Sequence, residues 1–407
     1  MSREEILFAK ALKKVNIFLK FSGIYFDEED INRNAAQRFL SRKFYCFNLL
    51  WLALHIIGEF LWAIDGIKTK ASIVKLTYLI PGVTLSVLGC CKSYYLVKNG
   101  NLVSELIRTI KSLQSETAIS GLKPEIENDL NKRMVILTTV VTANSFLDGC
   151  GVAVFVVGPL VLSWLIYNST GKLVMQLPFL AKFPFDETDI RFWPLAYIHQ
   201  VWSCAIAVST VHGPDGFYAL SCTFLVIQFK TLQYDIERII PESEDFALAT
   251  TQDEFRMRLS RIVMRHLELI RCVDTVEAIF SKSNLCNVAV SSIVICVSAF
   301  NILTLGDFFL IPFIAFLIMW TIQVFVLCYY SDLLIESSTD VSDAVYGCKW
   351  YTANSAIMKD LLFVLTRAQK PCKLTAAGYV DLNLAVFNKI MSSAWSYFAL
   401  LHTVYNK

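Results

Sequence analysis

The sequence predicts an all-α, polytopic membrane protein with seven transmembrane helices, its N-terminus cytoplasmic and its C-terminus extracellular. Mean hydropathy is +0.50. Hydrophobic residues make up 55% of the 407 residues and charged residues 18%, whereas about a quarter of residues are charged in an average soluble domain. Apolar runs recur along the chain, and each is long enough to cross a hydrocarbon layer of roughly 30 Å, which takes about 20 helical residues.

Charged segments separate the seven expected spans. The spans cover residues 43 to 66, 72 to 96, 134 to 163, 192 to 229, 284 to 305, 308 to 333 and 376 to 404. The fourth is too long for one straight crossing, so we expect its helix to project into the cytoplasm. The chain then divides into an N-terminal segment (1–42) with a re-entrant or amphipathic helix, spans one to four (43–229), a cytoplasmic helical extension (230–283), spans five and six (284–333), a cytoplasmic helical segment (334–375) and the last span (376–407).

Basic residues set the orientation, because Lys and Arg are retained on the cytoplasmic side. The N-terminal tail and the second, fourth and sixth gaps hold 28 Lys and Arg residues, and the other gaps with the C-terminal tail hold six. The sequon Asn168-Ser169-Thr170 lies in the third gap, which this topology makes extracellular, so Asn168 is a candidate glycosylation site. G-protein-coupled receptors have the opposite orientation.

Motifs for enzymatic chemistry are absent from the sequence, which has no Gly-x-Ser-x-Gly, no phosphate-binding glycine loop and no His-Glu-x-x-His. We therefore expect no enzyme, no cofactor, no metal site and no nucleic-acid partner. His55 and Glu59 share a face of the first span and could bind a metal or relay protons. A polar contact between helices is the favoured interpretation, since no third ligand has a recognisable spacing.

The fourth span contains "VHGPDGFYALSCTFLVIQFKTLQYDIERI". Gly213, Pro214 and Gly216 predict a kinked or loosened helix. Asp215 places a charge at or near membrane depth, where an ionisable side chain is by default a functional candidate. The alternative is that Asp215 binds a neighbouring helix terminus or basic group, and the sequence leaves both open.

Four segments resemble the insect odorant receptors, in that family's order. They are "GFYALSCTFLVIQFKTLQYDIE" (216–237), "CYYSDLLIESS" (328–338), "VYGCKWY" (345–351) and "KLTAAGYVDLNLAVFNKIMSSAWSYFALL" (373–401). The Gln-Phe that ends the related gustatory receptors does not follow Tyr397-Phe398. The chain is also short for the family's co-receptor, so the resemblance is to a tuning subunit.

The resemblance implies a volatile-ligand-gated, non-selective cation channel in the cell membrane of olfactory dendrites. Its partners would be the odorant receptor co-receptor, in a heterotetramer, a small apolar odorant or pheromone, and membrane lipids. A secondary transporter would show broken helices in matching halves, and only the fourth span has a break. A metabotropic receptor would need the reverse topology.

The resemblance also places an odorant pocket in the outer half of the bundle and a pore along the last helix. Pocket candidates are Tyr78, Phe146, Val154, Tyr197, Gln200, Cys204, Val208, Phe300, Phe309 and Phe313. Pore and gate candidates are Ser392, Ser396, Leu400, Thr403 and Val404, which recur at three- or four-residue spacing and share a stripe. Periodicity alone favours ordinary core packing for each pocket candidate and helix packing for the stripe.

Two amphipathic segments outside the spans predict a subunit-contact layer. One carries the apolar stripe Phe255, Leu259, Ile262, Val263, Leu267 and Ile270, and the other covers residues 355 to 369. Packing within one chain explains either segment equally well.

Overall fold

The computed structural model describes the chain except for residues 1–2, 27–33, 71–72, 121–123, 173, 188, 241–248, 305–309 and 406–407. The part that it describes is built from α-helices and one short hairpin. The helices are α1 (Arg3–Phe21), α2 (Ala35–Ser41), α3 (Lys43–Lys68), α4 (Ile73–Lys98), α5 (Gly100–Ser120), α6 (Pro124–Thr170), α7 (Trp193–Glu237), α8 (Ala249–Thr304), α9 (Leu310–Gly347), α10 (Ser355–Ala368) and α11 (Leu384–Tyr405).

Seven of these helices correspond to the expected spans, so the chain has the seven-transmembrane, all-α fold. Five are long and apolar enough to cross a membrane by composition alone, namely α3, α4, α6, α8 and α9. The other two, α7 and α11, carry more polar residues. Most of α7 is buried among other helices, so few of its side chains have to match the lipid.

The centre of the bundle is α7, which packs against α1, α4, α6, α8 and α9. Small residues allow these helices to approach closely. A Cβ built on Gly89 of α4 would overlap the Thr210 hydroxyl and lie 3.1 Å from the carbonyl oxygen of Ala207. On another face of α7, a Cβ at Gly213 would lie 2.8 Å from Leu19 of α1. Glycine at these two positions therefore allows α7 to pack closely against α4 and α1.

The fourth span does not break at Pro214. It continues as one helix, α7, through Gly213, Pro214 and Gly216 and on to Glu237. The carbonyl groups that a proline leaves without an N–H partner lie inside the bundle, where neighbouring helices surround them. The expected extension beyond residue 229 is present.

Three expected boundaries fall inside continuous helices, and the one between 229 and 230, within α7, was expected to do so. The boundary between 283 and 284 lies within α8, and that between 333 and 334 lies within α9. Hydropathy changes at these points because a helix leaves the apolar layer, but its backbone hydrogen bonds do not need to change there. Each of α8 and α9 is therefore one continuous helix that includes a span and a segment expected outside it.

The last span begins later than residue 376. Strands β1 (Thr375–Ala376) and β2 (Val380–Asp381) form an antiparallel hairpin whose turn holds Ala377 and Gly378 at positive φ. Glu277 of α8 anchors the hairpin, since its Oε2 accepts a 2.7 Å hydrogen bond from the N–H of Thr375. Asn383 then caps α11, accepting a 3.0 Å bond from the N–H of Val386.

Candidate functional site

Gln200 on α7 holds the loop that joins α6 to α7. Its side chain is fully buried. Its Oε1 accepts a 2.9 Å hydrogen bond from the N–H of Phe179, and its Nε2 donates a 2.9 Å bond to the carbonyl of the same residue. The amide thus satisfies both backbone groups of one loop residue and fixes the loop against the bundle.

Phe179 places its ring among aromatic side chains from two other helices. Its ring stacks on Phe155 of α6, with centroids 5.4 Å apart and planes 6° from parallel. Phe155 meets Phe316 of α9 edge to face at 4.7 Å. Val208 and Trp320 belong to the same buried cluster. Aromatic side chains from α6, α9 and the loop before α7 therefore pack together in this part of the bundle.

Sequence reasoning missed the aromatic residues that pack together here. It selected Val154, which is half-buried, whereas its neighbour Phe155 is buried in the cluster. Adjacent helical residues point about 100° apart, so a small error in helix phase selects the wrong one. Phe179 lies in an irregular loop, where no periodicity marks an inward-facing residue.

A second aromatic group joins α4, α8, α9 and α11. Tyr78 meets Phe313 edge to face at 5.3 Å, and Phe300 meets Tyr405 at 5.4 Å. Thr77 and Asn301 tie α4 to α8 beside these rings: the Thr77 hydroxyl donates to Asn301 Oδ1 at 2.7 Å, and Asn301 Nδ2 donates to the Thr77 carbonyl at 3.1 Å.

Not all of the remaining pocket candidates lie near the two aromatic groups described above. Cys204 is buried on α7, one turn from Gln200. The Tyr197 hydroxyl donates to the carbonyl of Val156. Phe146 is 69% exposed on the outer face of α6, because α6 lies at the edge of the bundle and buries only one side. Phe309 lies outside the described residues.

His55 and Glu59 contact each other within α3, with His55 Nε2 3.7 Å from Glu59 Oε1, whereas the expectation was a polar contact between helices. Both side chains are buried. The His55 ring also meets the Phe179 ring at 5.7 Å, so the pair lies beside the loop that Gln200 holds. Glu59 Oε2 has no hydrogen-bond partner among the described residues. The four-residue spacing of the pair predicts that the two side chains share a helix face, but it does not indicate that they lie beside Phe179.

The final helix buries one face and exposes the other. Val386, Ile390 and Ala394 are buried against α8 and α9. Every pore and gate candidate on the helix is exposed in the single chain: Ser392, Ser396, Leu400, Thr403 and Val404. The Ser396 hydroxyl donates to the Ser392 carbonyl at 3.0 Å, and Thr403 donates to that of Ala399 at 2.8 Å. These bonds satisfy the hydroxyls within the helix.

Asn168 is exposed in the last turn of α6, next to the loop that carries Phe179. Among the residues that the structure describes, no group of three His, Cys, Asp or Glu side chains is arranged to hold a metal ion.

Comparison with known proteins gives concordant matches. A family model described as the 7tm odorant receptor matches residues 76–395. Odorant receptor 67c of Drosophila melanogaster is 24% identical over 380 residues, covering 90% of this chain and 88% of its own. Odorant receptor 13a of the same species is 27% identical over 303 residues, covering 70% and 69%. The solved olfactory receptor OR5 of Machilis hrabei aligns with a TM-score of 0.81 at 18% identity, covering 98% of this chain and 99% of its own. Its complex with eugenol aligns with a TM-score of 0.80.

Proposed function

The chain belongs to the odorant receptor family, and we propose that it is a subunit of a volatile-ligand-gated, non-selective cation channel. The ligand would be a small apolar odorant or pheromone held in the outer half of the bundle. The observation that carries the proposal is the contact of Phe300 with Tyr405, because it joins a pocket candidate to the end of the helix that would line the pore.

Burial of apolar surface would supply most of the affinity for such a ligand, at about 25 cal/mol per Å². The rings of Phe155, Phe179 and Phe316 offer that surface. A few polar groups would orient the ligand. Gln200 is engaged with the loop backbone, so we assign it the role of positioning Phe179. His55, whose ring lies 5.7 Å from that of Phe179, and its neighbour Glu59 are candidates for orienting the ligand.

The exposed stripe of α11 suits a pore. A hydroxyl at Ser392 and Ser396 would face water, and Leu400 with Val404, which are 65% and 59% exposed, would form a hydrophobic constriction that blocks ions by dewetting. One helix per chain encloses a pore only when several chains surround a symmetry axis. The stripe therefore calls for an oligomer, and the family resemblance favours a heterotetramer with the co-receptor.

Ligand binding would act on the gate through the contact of Phe300 with Tyr405. A ligand that changes the packing around Phe300 would change the support for Tyr405, which directly follows Val404 in the chain. Opening requires that the ligand bind one arrangement of α8 and α11 more tightly than the other. A ligand that bound both arrangements with equal affinity would leave the gate unchanged, however tightly it bound.

Exposed apolar side chains beyond the spans support the subunit-contact layer. On α8, Phe255, Leu259 and Ile262 are buried within the chain, so most of the expected stripe serves internal packing. Met264 and Leu267 of α8 remain exposed, as do Leu362 and Phe363 of α10, the last at 78%. Large exposed apolar groups of this kind mark protein contacts.

In the orientation expected from the basic residues, the N-terminus and this layer would lie in the cytoplasm and Asn168 outside. The multi-pass chain lies in the membrane, and we propose the dendrite of an olfactory neuron as its location. Glycosylation at Asn168 is testable by a shift in electrophoretic mobility on enzymatic deglycosylation, which Asn168→Gln would abolish.

The decisive experiment is a whole-cell recording with a panel of volatile compounds, with the chain expressed alone and together with the co-receptor. We expect a fast odorant-evoked cation current that needs the partner. Leu400→Ala and Val404→Ala should raise the current without odorant, and Leu303→Ala is the matched control, being 60% exposed on α8. Currents that need G-protein signalling, or gate variants that behave as Leu303→Ala does, would contradict the proposal.

A further inference from the structure

A wide cleft lies among α5, α7 and α8, where these helices run outside the expected spans. It holds about 1030 Å³, which matches the upper end of the volumes of about 300–1,000 Å³ that small-molecule sites have. Buried apolar residues form part of its lining, namely Leu113, Ile239 and Ile262. We call it the arginine cleft, after the four arginines that line it, which are Arg238, Arg258, Arg261 and Arg265.

The four arginines come from two helices. Arg258, Arg261 and Arg265 are three and four residues apart on α8, so they share one face of that helix. Arg238 caps the C-terminal end of α7. Its guanidinium carbon lies 3.7 Å from the centroid of the Tyr234 ring, and Tyr234 also lines the cleft. Stacking of this kind restricts the Arg238 side chain before any ligand binds.

One of the arginines ties α8 to α7. Arg265 Nη1 donates to Asp235 Oδ2 at 3.2 Å, and its Nη2 donates to Gln228 Oε1 at 2.7 Å. The Arg265 side chain is 11% exposed, whereas Arg258 and Arg261 are exposed. Arg265 therefore fixes the wall of the cleft, and the exposed arginines are the ones that a ligand can reach.

The described lining carries more positive than negative charge. Its four arginines stand against two carboxylates, those of Asp235 and Glu268, which leaves a net charge of +2. Asp235 pairs with Arg265. Glu268 Oε2 lies 3.4 Å from Nη1 of Arg271, which adds another cation beside it. The cleft therefore attracts anions and repels cations.

Arginine narrows the class of anion. A guanidinium presents its N–H donors in a planar fork that matches two oxygens of a phosphate or a carboxylate, and it stays protonated at physiological pH. A phosphate monoester carries a charge of about −1.5 to −2 and three acceptor oxygens, so one such group balances the net charge of the lining. A single carboxylate supplies about half of that charge. The cleft therefore suits phosphate groups better than carboxylates.

The cleft lies far from the expected boundary of the membrane. Glu268 precedes residue 284, where the fifth span is expected to begin, by 16 residues of the continuous helix α8, or about 24 Å along its axis. On α7, Tyr234 follows Trp193 by 41 residues, or about 62 Å, which exceeds the 40–45 Å of a whole bilayer. Both distances favour a soluble ligand over a lipid head group.

We propose that the arginine cleft binds a small molecule that carries two or more phosphate groups. Two sources supply this chemistry, namely a soluble polyol phosphate, such as an inositol phosphate, and the head group of a phosphoinositide lipid, and the distances favour the first. Arg238 binds one phosphate from α7, and Arg258 with Arg261 binds another from α8, so the ligand joins the two helices. The site is separate from the candidate odorant pocket and does not depend on the channel function.

The test uses the purified full chain in phosphatidylcholine nanodiscs, with tritiated inositol trisphosphate as the probe. We expect saturable binding that excess unlabelled inositol hexakisphosphate displaces and the same concentration of citrate does not. Nanodiscs that also contain phosphatidylinositol bisphosphate distinguish the two sources. Unchanged probe binding in them supports the soluble ligand, whereas loss of probe binding assigns the site to the lipid head group and overturns the soluble source.

Variants separate the cleft from general attraction of anions to the chain. Arg261→Gln and Arg238→Gln should each weaken probe binding by about tenfold or more, which corresponds to the loss of a hydrogen bond to a charged group. Arg261→Lys keeps the charge without the fork, so its loss should be smaller. Arg256→Gln removes the same charge from the same helix, but Arg256 lines a different groove, so this variant should bind the probe as the unaltered chain does.

Binding that does not saturate, that citrate displaces equally, or that Arg256→Gln weakens as much as Arg261→Gln does would overturn the site. Glu242, Glu244 and Asp245 lie outside the described residues and are close to Arg238 in the sequence. Probe binding that appears only when these three are replaced by their amides would also overturn it, because the chain's own carboxylates would then compete for the arginines.

Odorant-evoked current recorded from the same variants tests the channel separately. Normal current without specific probe binding would reject this site alone. Specific probe binding without any odorant-evoked current would support the site and reject only the channel.

Discussion

Lys92 of α4 and Asp215 of α7 form a buried ion pair inside the helix bundle, with Nζ 2.6 and 2.7 Å from the two carboxylate oxygens. Gln323 of α9 adds a 2.8 Å hydrogen bond to the same carboxylate. The cost of removing a charge from water is offset only when the partner and further hydrogen bonds are well placed. One carboxylate therefore joins three helices.

Lys92→Met should destabilise the chain by about 3–5 kcal/mol, because it leaves Asp215 charged and without its cation. The double variant Lys92→Met, Asp215→Leu should recover most of that loss, since neither charge remains. Thermal unfolding of the purified full chain measures both. Lys98→Met, at the exposed end of α4, is the control and should change stability by about 0.5 kcal/mol or less. A double variant as unstable as the single one would contradict the assignment.

Gly89→Ala should destabilise the contact of α4 with α7 by about 1–3 kcal/mol. The added methyl group would meet the Thr210 hydroxyl and the Ala207 carbonyl. Gly158→Ala on α6 is the matched control, because a Cβ there meets nothing within 4 Å, and alanine is the better helix former. Thermal unfolding should show opposite signs for the two. Thr210→Ala in the Gly89→Ala background should restore part of the loss.

Acid should weaken the helical region outside the spans through His266 of α8. Burial, with the Arg367 charge as a lesser cause, lowers the pKa of His266 to about 4 from its ordinary 6.5. The unfolded chain then binds the proton more readily, so stability is complete above pH 6.5 and is lost as pH falls towards 4. The loss is about 2 kcal/mol between pH 7.5 and 5. Thermal unfolding at the two pH values should show it, and His266→Phe should remove this part of the pH dependence.

Gln200→Ala should weaken the response to odorant, because it leaves the N–H and carbonyl of Phe179 without their partner and frees the loop. The loss of one or two buried hydrogen bonds, about 1–3 kcal/mol, predicts a rise of about fivefold to 100-fold in the half-maximal odorant concentration. Concentration–response curves in cells that express the co-receptor measure it. Gln176→Ala, in the same loop, is the control. Equal curves for both variants would mean that Phe179 does not shape the pocket.

Helix positions were largely predictable because they depend on composition within a single segment. The expected starts of α3 and α4 agree with the structure to within one residue. The expected start of the last span was eight residues too early, since the hairpin at 375–381 is held by Glu277, almost 100 residues away in the sequence. Nothing local to residues 376–383 marks that anchor.

The burial of the candidate site residues was predictable for some positions and not for others. Gln200, Phe300 and Phe313 are buried as a pocket would require, and the stripe from Ser392 to Val404 lies on one exposed face. Phe146 faces outward, and the central ring of Phe179 was missed. Inward direction on a peripheral helix such as α6 depends on which neighbours cover it, and periodicity cannot supply that.

By itself the sequence determined that this chain crosses a membrane as seven helices and belongs with the odorant receptors, because hydropathy and short motifs are properties of contiguous residues. Only the tertiary structure decided which charges meet, which glycines admit a neighbouring helix, and which aromatic rings stack. Lys92 and Asp215 are 123 residues apart, and Phe300 and Tyr405 are also distant in the chain. Such pairings follow from how the helices pack together, which is a property of the whole bundle rather than of any one segment.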